Sequence, residues 1–201
     1  IPATEKIRQE WTKWYSPQEW LTASAEESTP LHAPKPLLPV VVSPMLTTTW
    51  NQGCNYNANC PADGGGSCGR VWTGCGATAM AQCMKFHNWP TTGFGAYSYT
   101  PPSYSLQSAN FGASTYLFGS MPNNVSSANP AVAQLMHHAG ISLDMNYGTT
   151  ESTCFFSELN NSFKEYFRYS LSTQGRGKLT HTDAQWDVVL RTELDAGRVG
   201  P

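Results

Sequence analysis

Apolar residues recur along this chain with helical spacing in five places and lose all period in three others. Between Thr4 and Pro17, Ile7, Trp11, Trp14 and Tyr15 stand at i, i+4, i+7 and i+8, which predicts a short amphipathic helix capped by Thr4 and stopped by Pro17. The stretch Thr22 to Pro39 holds Pro30, Pro34, Pro36 and Pro39 among small polar residues, which predicts an extended linker and a domain boundary. The expected organisation is therefore a helix within residues 1–21, a linker over 22–39 and a folded domain over 40–201. Asn51 to Gly69, with its Gly64-Gly65-Gly66 run, reads as loop. Thr73 is placed to cap a helix with Gly74, Cys75 and Gly76 in its first turn and Ala77, Met80, Ala81 and Met84 on one face, ended by Pro90. Phe94 to Tyr116, rich in Tyr and Ser, predicts loops and short strands. Asn129-Pro130 is an N-cap followed by Pro at the first helical position; Val132, Leu135, Met136 and Ala139 form the stripe, and Gly140 is expected to end the helix. Phe155, Phe156, Leu159, Phe163, Tyr166 and Phe167 predict another helix. Thr182 with Gln185 forms a capping box before Trp186, Val189, Leu190 and Leu194, closed by Gly197. Helices with a few short strands give an α+β fold class.

Composition narrows what such a domain does. Charged residues are 13% of the 201, against about 25% in ordinary globular proteins, the net charge is -2, and the 12 Lys and Arg fall in no run. A nucleic-acid partner is excluded on that basis. Hydrophobic residues at 40% and aromatics at 12% supply a core, so the chain folds. The longest apolar stretch, Leu37 to Met45, carries two prolines and a serine and is far shorter than the ~18 residues of a membrane span. The start at Ile1-Pro2, without Met or an apolar leader, suggests a piece of a longer protein.

Chemistry concentrates at Cys75. A thiol at a helix N-terminus meets the positive end of the dipole and free N–H groups, which favour thiolate, the nucleophilic form. Flanking glycines let a substrate backbone approach, and the residue's own N–H can donate to an oxyanion. The competing reading of such a residue is a small buried cysteine. Gln52, in the loop Trp50-Asn51-Gln52-Gly53, offers a side-chain amide as a second oxyanion donor or is simply solvated. Cys54, Cys60 and Cys68 lack the paired spacing of zinc ligands, so no metal and no cofactor is expected; a disulfide among these three is favoured, with the pairing open. Cys83 is expected to pack inside its helix and Cys154 to be free.

Thr49-Trp50-Asn51-Gln52-Gly53, Tyr56-Asn57 and Cys60-Pro61, followed by the run from Gly74-Cys75-Gly76 through Phe86-His87-Asn88-Trp89-Pro90, resemble the streptopain family of cysteine peptidases. The likeness continues through Gly140 to Gly148 and covers roughly Leu38 to Ala196. It implies a papain-like fold and peptide-bond hydrolysis through an acyl-enzyme, with Cys75 as nucleophile and Gln52 as oxyanion donor. The same resemblance makes Ile1–Pro39 the end of a propeptide plus its activation linker, and so implies a zymogen inhibited by its own propeptide. Protein or peptide substrates and a secreted, cell-surface or periplasmic bacterial location go with it. Gly148, Thr149 and Thr150 are candidates for one wall of the substrate site, with a hydrophobic P2 residue expected.

One departure stands out. The family's general-base histidine lies in a Gly-Gly-His-Ala type segment, followed by an Asn-Trp-Gly-Trp type segment, and neither occurs before Pro201. His87 is twelve residues from Cys75 on one helix, about 18 Å along the axis at 1.5 Å per residue. His137 and His138 read as dipole-complementing residues of a last helical turn, and His32 and His181 as solvated. The base is expected to be absent from this chain, and a non-catalytic adhesion or interaction module on the same scaffold is the alternative.

Overall fold

The computed structural model describes residues 43–200; the expected helix between Thr4 and Pro17, the linker over Thr22–Pro39 and His32 lie outside the described residues. In chain order the elements are β1 (Ala62–Ser67), α1 (Cys75–His87), β2 (Tyr97–Tyr99), β3 (Gln107–Ala109), α2 (Pro130–Ser142), α3 (Phe156–Glu165) and α4 (Asp183–Asp195), with 3-10 turns at Phe118–Ser120 and Lys178–Thr180.

The centre is the pair α1 and α2, and α3 touches both. Helix α1 buries Ala77, Thr78, Met80, Ala81, Cys83 and Met84, and α2 buries Val132, Ala133, Leu135, Met136, Ala139, Gly140, Ile141 and Ser142. Burial over most of the circumference marks both as interior helices, and their alanines let the backbones approach. Methionines fill the irregular gaps between them: Met80, Met84, Met136 and Met145 are all fully buried. Asn129 caps α2 as expected, its side chain accepting from the Val132 N–H at 3.0 Å with Pro130 at the first position.

Gly140 does not end α2. The helix runs on to Ser142, and the residue that closes it in the left-handed conformation is Asp144 (φ 48°), with the Met145 N–H donating back to the Gly140 carbonyl at 3.1 Å. Gly140 is there for close approach instead, since a Cβ would run into the Tyr147 hydroxyl. Because the helix is longer than its stripe suggested, His137 and His138 sit inside it rather than as end residues. His137 Nε2 pairs with Gln107 Oε1 at 3.1 Å and His138 Nδ1 with the Tyr116 hydroxyl at 3.0 Å. Burial pushes both imidazoles down to about 4, so they are neutral packing residues and complement no dipole.

The Tyr-rich segment forms an antiparallel two-stranded sheet with Tyr97 opposite Ala109, Ser98 opposite Ser108 and Tyr99 opposite Gln107. Tyr97 and Tyr99 share a face by the two-residue period and lean on α2 and the turn after it. Their hydroxyls donate to Asp144 Oδ1 at 2.8 Å and to the Met145 carbonyl at 2.7 Å. The stretch read as loop before α1 contains β1, which bends back through Cys68 and Gly69, both at positive φ, so that Ala62 and Ser67 bridge to Arg70. Three glycines gave no hydrophobic alternation, and so β1 had no signature. Of the three cysteines in that region, Cys54 and Cys68 form the disulfide and Cys60 is left free and buried.

Helix α4 starts at its predicted cap, whereas α3 is shorter than predicted, with Phe155 and Tyr166 as its flanking caps and Phe167 beyond it, and the expected faces of both are only partly used. In α3, Leu159 and Phe163 are buried and Phe167 just beyond it is fully buried, whereas Phe155 and Phe156 are exposed. The capping box of α4 is complete: Gln185 N–H donates to Thr182 Oγ1 at 3.3 Å and Thr182 N–H to Gln185 Oε1 at 2.9 Å. No residue of α4 is buried, and Val188, Leu190 and Leu194 are exposed. No helix among the described residues is long and apolar enough to cross a membrane.

Candidate active site at the N-terminus of helix α1

Cys75 is the first residue of α1 and is exposed, while the residues one turn further in are buried. The N-cap is Gly74 rather than Thr73, and no side chain caps the helix. Gly74 has φ +92°, a conformation that L side chains rarely adopt, and a Cβ there would lie 2.5 Å from Met145 Sδ. Thr73 is turned inward, its hydroxyl 3.1 Å from that of Thr78, which donates to the Gly74 carbonyl at 3.0 Å. With no side-chain oxygen bonded to the free N–H groups of the first turn, they remain available beside the Cys75 sulfur.

Two loops grip the two residues before Gly74. On one side the Thr73 N–H donates to the Gln52 carbonyl at 3.1 Å, tying the backbone of Gln52 to the approach to α1. Gln52 is half-buried, and its loop is folded by the Tyr56 and Asn57 N–H groups, both of which donate to the Gly53 carbonyl at 3.0 Å. The buried Asn57 amide donates to the carbonyls of Ser67 and Val71 at 2.9 and 3.0 Å, which joins this loop to the chain leading into Trp72. On the other side Trp72 N–H donates to the Gly148 carbonyl at 3.2 Å, its indole N–H to the Thr149 carbonyl at 2.7 Å, and Ser152 Oγ donates to the Trp72 carbonyl at 2.7 Å. Gln52 and the loop containing Gly148, Thr149 and Thr150 are thus brought to the residues immediately before Cys75. Trp72 and Ser152, which organise this junction, carry no sequence signal; their role depends on contacts between segments distant in the chain.

The four free cysteines differ sharply in setting. Burial pushes the thiols of Cys60 and Cys83 up to about 12, and burial reinforced by the Cys75 sulfur pushes that of half-buried Cys154 up to about 11. Cys75 is the exposed one. Among the described residues no histidine is hydrogen-bonded to it: His137 and His138 are engaged as above, His181 Nδ1 lies 3.0 Å from the Gly177 carbonyl, and His87 ends α1 against the rings of Phe86 and Tyr169. Nor do the described residues hold any group of three or more His, Cys, Asp or Glu arranged for a metal ion.

Residues 50–199 match the model of the Peptidase C10 family. The chain belongs to this family of cysteine peptidases. It is similar to the thiol protease/hemagglutinin PrtT of Porphyromonas gingivalis, 29% identical over 94% of this chain and 24% of that protein. It is also similar to streptopain of Streptococcus pyogenes, 30% identical over 61% of this chain and 34% of that protein. Among solved structures, active interpain A of Prevotella intermedia superposes with a TM-score of 0.71 at 33% identity, covering 78% of this chain and 67% of that one. A prointerpain A fragment from the same organism gives 0.72 at 32% identity, covering 78% and 52%. The fold of this C10 peptidase chain is accordingly papain-like and α+β, as the streptopain resemblance implied. The chain spans about a quarter to a third of the length of the curated relatives it matches.

Proposed function

We propose that this chain is the nucleophile-bearing part of a secreted bacterial cysteine endopeptidase made as a zymogen, with Cys75 as nucleophile and Gln52 as oxyanion donor. The observation that carries this reading is the exposed thiol on the first residue of a buried helix whose N-cap is a glycine without a side-chain cap. Cys75 attacks the scissile carbonyl, and its own N–H and the Gln52 amide receive the oxyanion. The loop of Gly148, Thr149 and Thr150 forms one wall for an extended peptide. A prointerpain fragment among the similar structures supports a propeptide within Ile1–Pro39 that blocks the site until it is cut away.

The amine leaving group needs a proton, and a positioned imidazole supplies it in this chemistry. No described histidine is bonded to Cys75, and His32 reads as a solvated residue of the linker, which supports a base supplied by a downstream segment carrying His, in the same chain or as a separate piece. The test is a casein or fluorogenic-peptide assay on purified 1–201 and on a longer version carrying that segment, each beside its Cys75→Ala variant. Turnover is expected only from the longer protein and only with Cys75 present. Cys75-dependent turnover by 1–201 alone overturns the assignment of the base, and a longer protein that remains inert favours the non-catalytic module.

A further inference from the structure

Cys154 lies far from Cys75 in sequence but against the same helical turn. A Cβ built on Gly76 would come 2.5 Å from Cys154 Sγ, so the sulfur occupies the space that a side chain at residue 76 would fill. Its backbone is fixed there. Thr153 exchanges hydrogen bonds with Asn146, at 3.1 Å from its N–H and 2.8 Å to its carbonyl, and Ser152 Oγ is bonded to the Trp72 carbonyl. Residue 75 is one Cα step of about 3.8 Å from Gly76, and a disulfide joins Cα atoms about 4.4–6.8 Å apart. Cys75 is exposed and Cys154 half-buried, and the charge of the Cys75 sulfur acts on the Cys154 thiol, so the two sulfurs are neighbours at the start of α1.

We propose that Cys75 and Cys154 form a reversible redox pair, in which hydrogen peroxide converts the nucleophile to a disulfide with Cys154 and so switches the site off while shielding Cys75 from irreversible oxidation. The switching part rests on Cys75 being the nucleophile; the bond itself does not. In the first step the Cys75 thiolate attacks a peroxide oxygen: the S–O bond forms, the O–O bond breaks, and the departing hydroxide takes a proton and leaves as water, giving a sulfenic acid. In the second step Cys154 sulfur attacks Cys75 sulfur: the S–S bond forms, the S–O bond breaks, and the thiol proton leaves with the hydroxide as a second water. Two thiols are oxidised and one peroxide is reduced. Cys154, kept a thiol by its surroundings, is not the first target. Cys60 and Cys83 are buried and out of play.

The experiment treats the full chain with stoichiometric hydrogen peroxide, blocks remaining thiols with an alkylating agent under native and then denaturing conditions, and maps the digest without reduction. A peptide pair linked through Cys154 is expected, with fragmentation assigning the partner sulfur to Cys75 rather than to Cys83 of the same tryptic peptide, and dithiothreitol should release it. In Cys154→Ser the linked pair should vanish and the sulfinic form of Cys75 should accumulate. Cys60 and Cys83, unlabelled until denaturation, report that the variant is folded. Equal sulfinic formation in both proteins with no linked pair, or a Cys154 link to Cys60 or Cys83, overturns the proposal. The readout is peptide mass, so an inactive protein would overturn the peptidase reading without touching this result.

Discussion

Gly74 shows how a single residue decides what the start of α1 can do. A Ser, Thr or Asp at an ordinary N-cap bonds the free N–H groups and is worth only a few tenths of a kcal/mol over glycine, and here it would occupy the donors beside Cys75. The chain places glycine there at φ +92° and turns Thr73 inward. Capping preference points to Thr73 because it counts only the bond a side chain can make, whereas the backbone at φ +92° and the contact with Met145 admit glycine at the N-cap. Gln52 belongs to the same scale. In the full-length protein Gln52→Ala is expected to lower kcat by about 10²–10³ with little change in KM, since an oxyanion donor acts in the transition state alone. Steady-state kinetics check this, and an unchanged kcat would remove Gln52 from the oxyanion hole and leave the Cys75 N–H as the donor.

At the level of elements, what repeats locally was legible and what depends on distant partners was not. The N-cap of α2 and the capping box of α4 were readable because each is closed within four residues. The burial of α4 was not, because a stripe such as Trp186, Val189, Leu190 and Leu194 records an apolar face without recording what covers it. Helix α2 also carries a pH dependence. His137 and His138 have folded values near 4 against about 6.5 for a free imidazole. The unfolded chain therefore binds more protons between those values, and stability falls as pH drops from about 6.5 towards 4, by at most about 1.4 kcal/mol per unit for each histidine. Below about 4 both states are protonated and this contribution levels off. Urea midpoints measured from pH 7 to 4.5 should decline in the wild type and decline less in His138→Gln; identical slopes would place the acid sensitivity in other groups.

For the whole molecule, the streptopain-like order of motifs made the papain-like class legible, because those motifs are short, closely spaced and chemically unusual. The assembly around Cys75 was less so. Trp72, Ser152 and Cys154 reach the site only when the loops of α+β packing close, and nothing in their neighbours in sequence points there. The organisation before residue 40 makes its own prediction. If Thr22–Pro39 is an exposed activation linker, limited proteolysis followed by N-terminal sequencing should place the first cut within it. A first cut inside Ala77–Asn88 would contradict that organisation.

The Cys54–Cys68 disulfide closes a 14-residue separation at an exposed place, next to the loop that carries Gln52. In the chain-entropy account a loop of that size is worth about 3 kcal/mol. The molecule therefore asks two opposite things of its surroundings: one pair of sulfurs must stay joined while Cys75 must stay unjoined. Any small thiol added to wake the nucleophile also attacks the bridge, so the useful dose has a ceiling as well as a floor, and a surplus loosens the very loop that holds Gln52 in place.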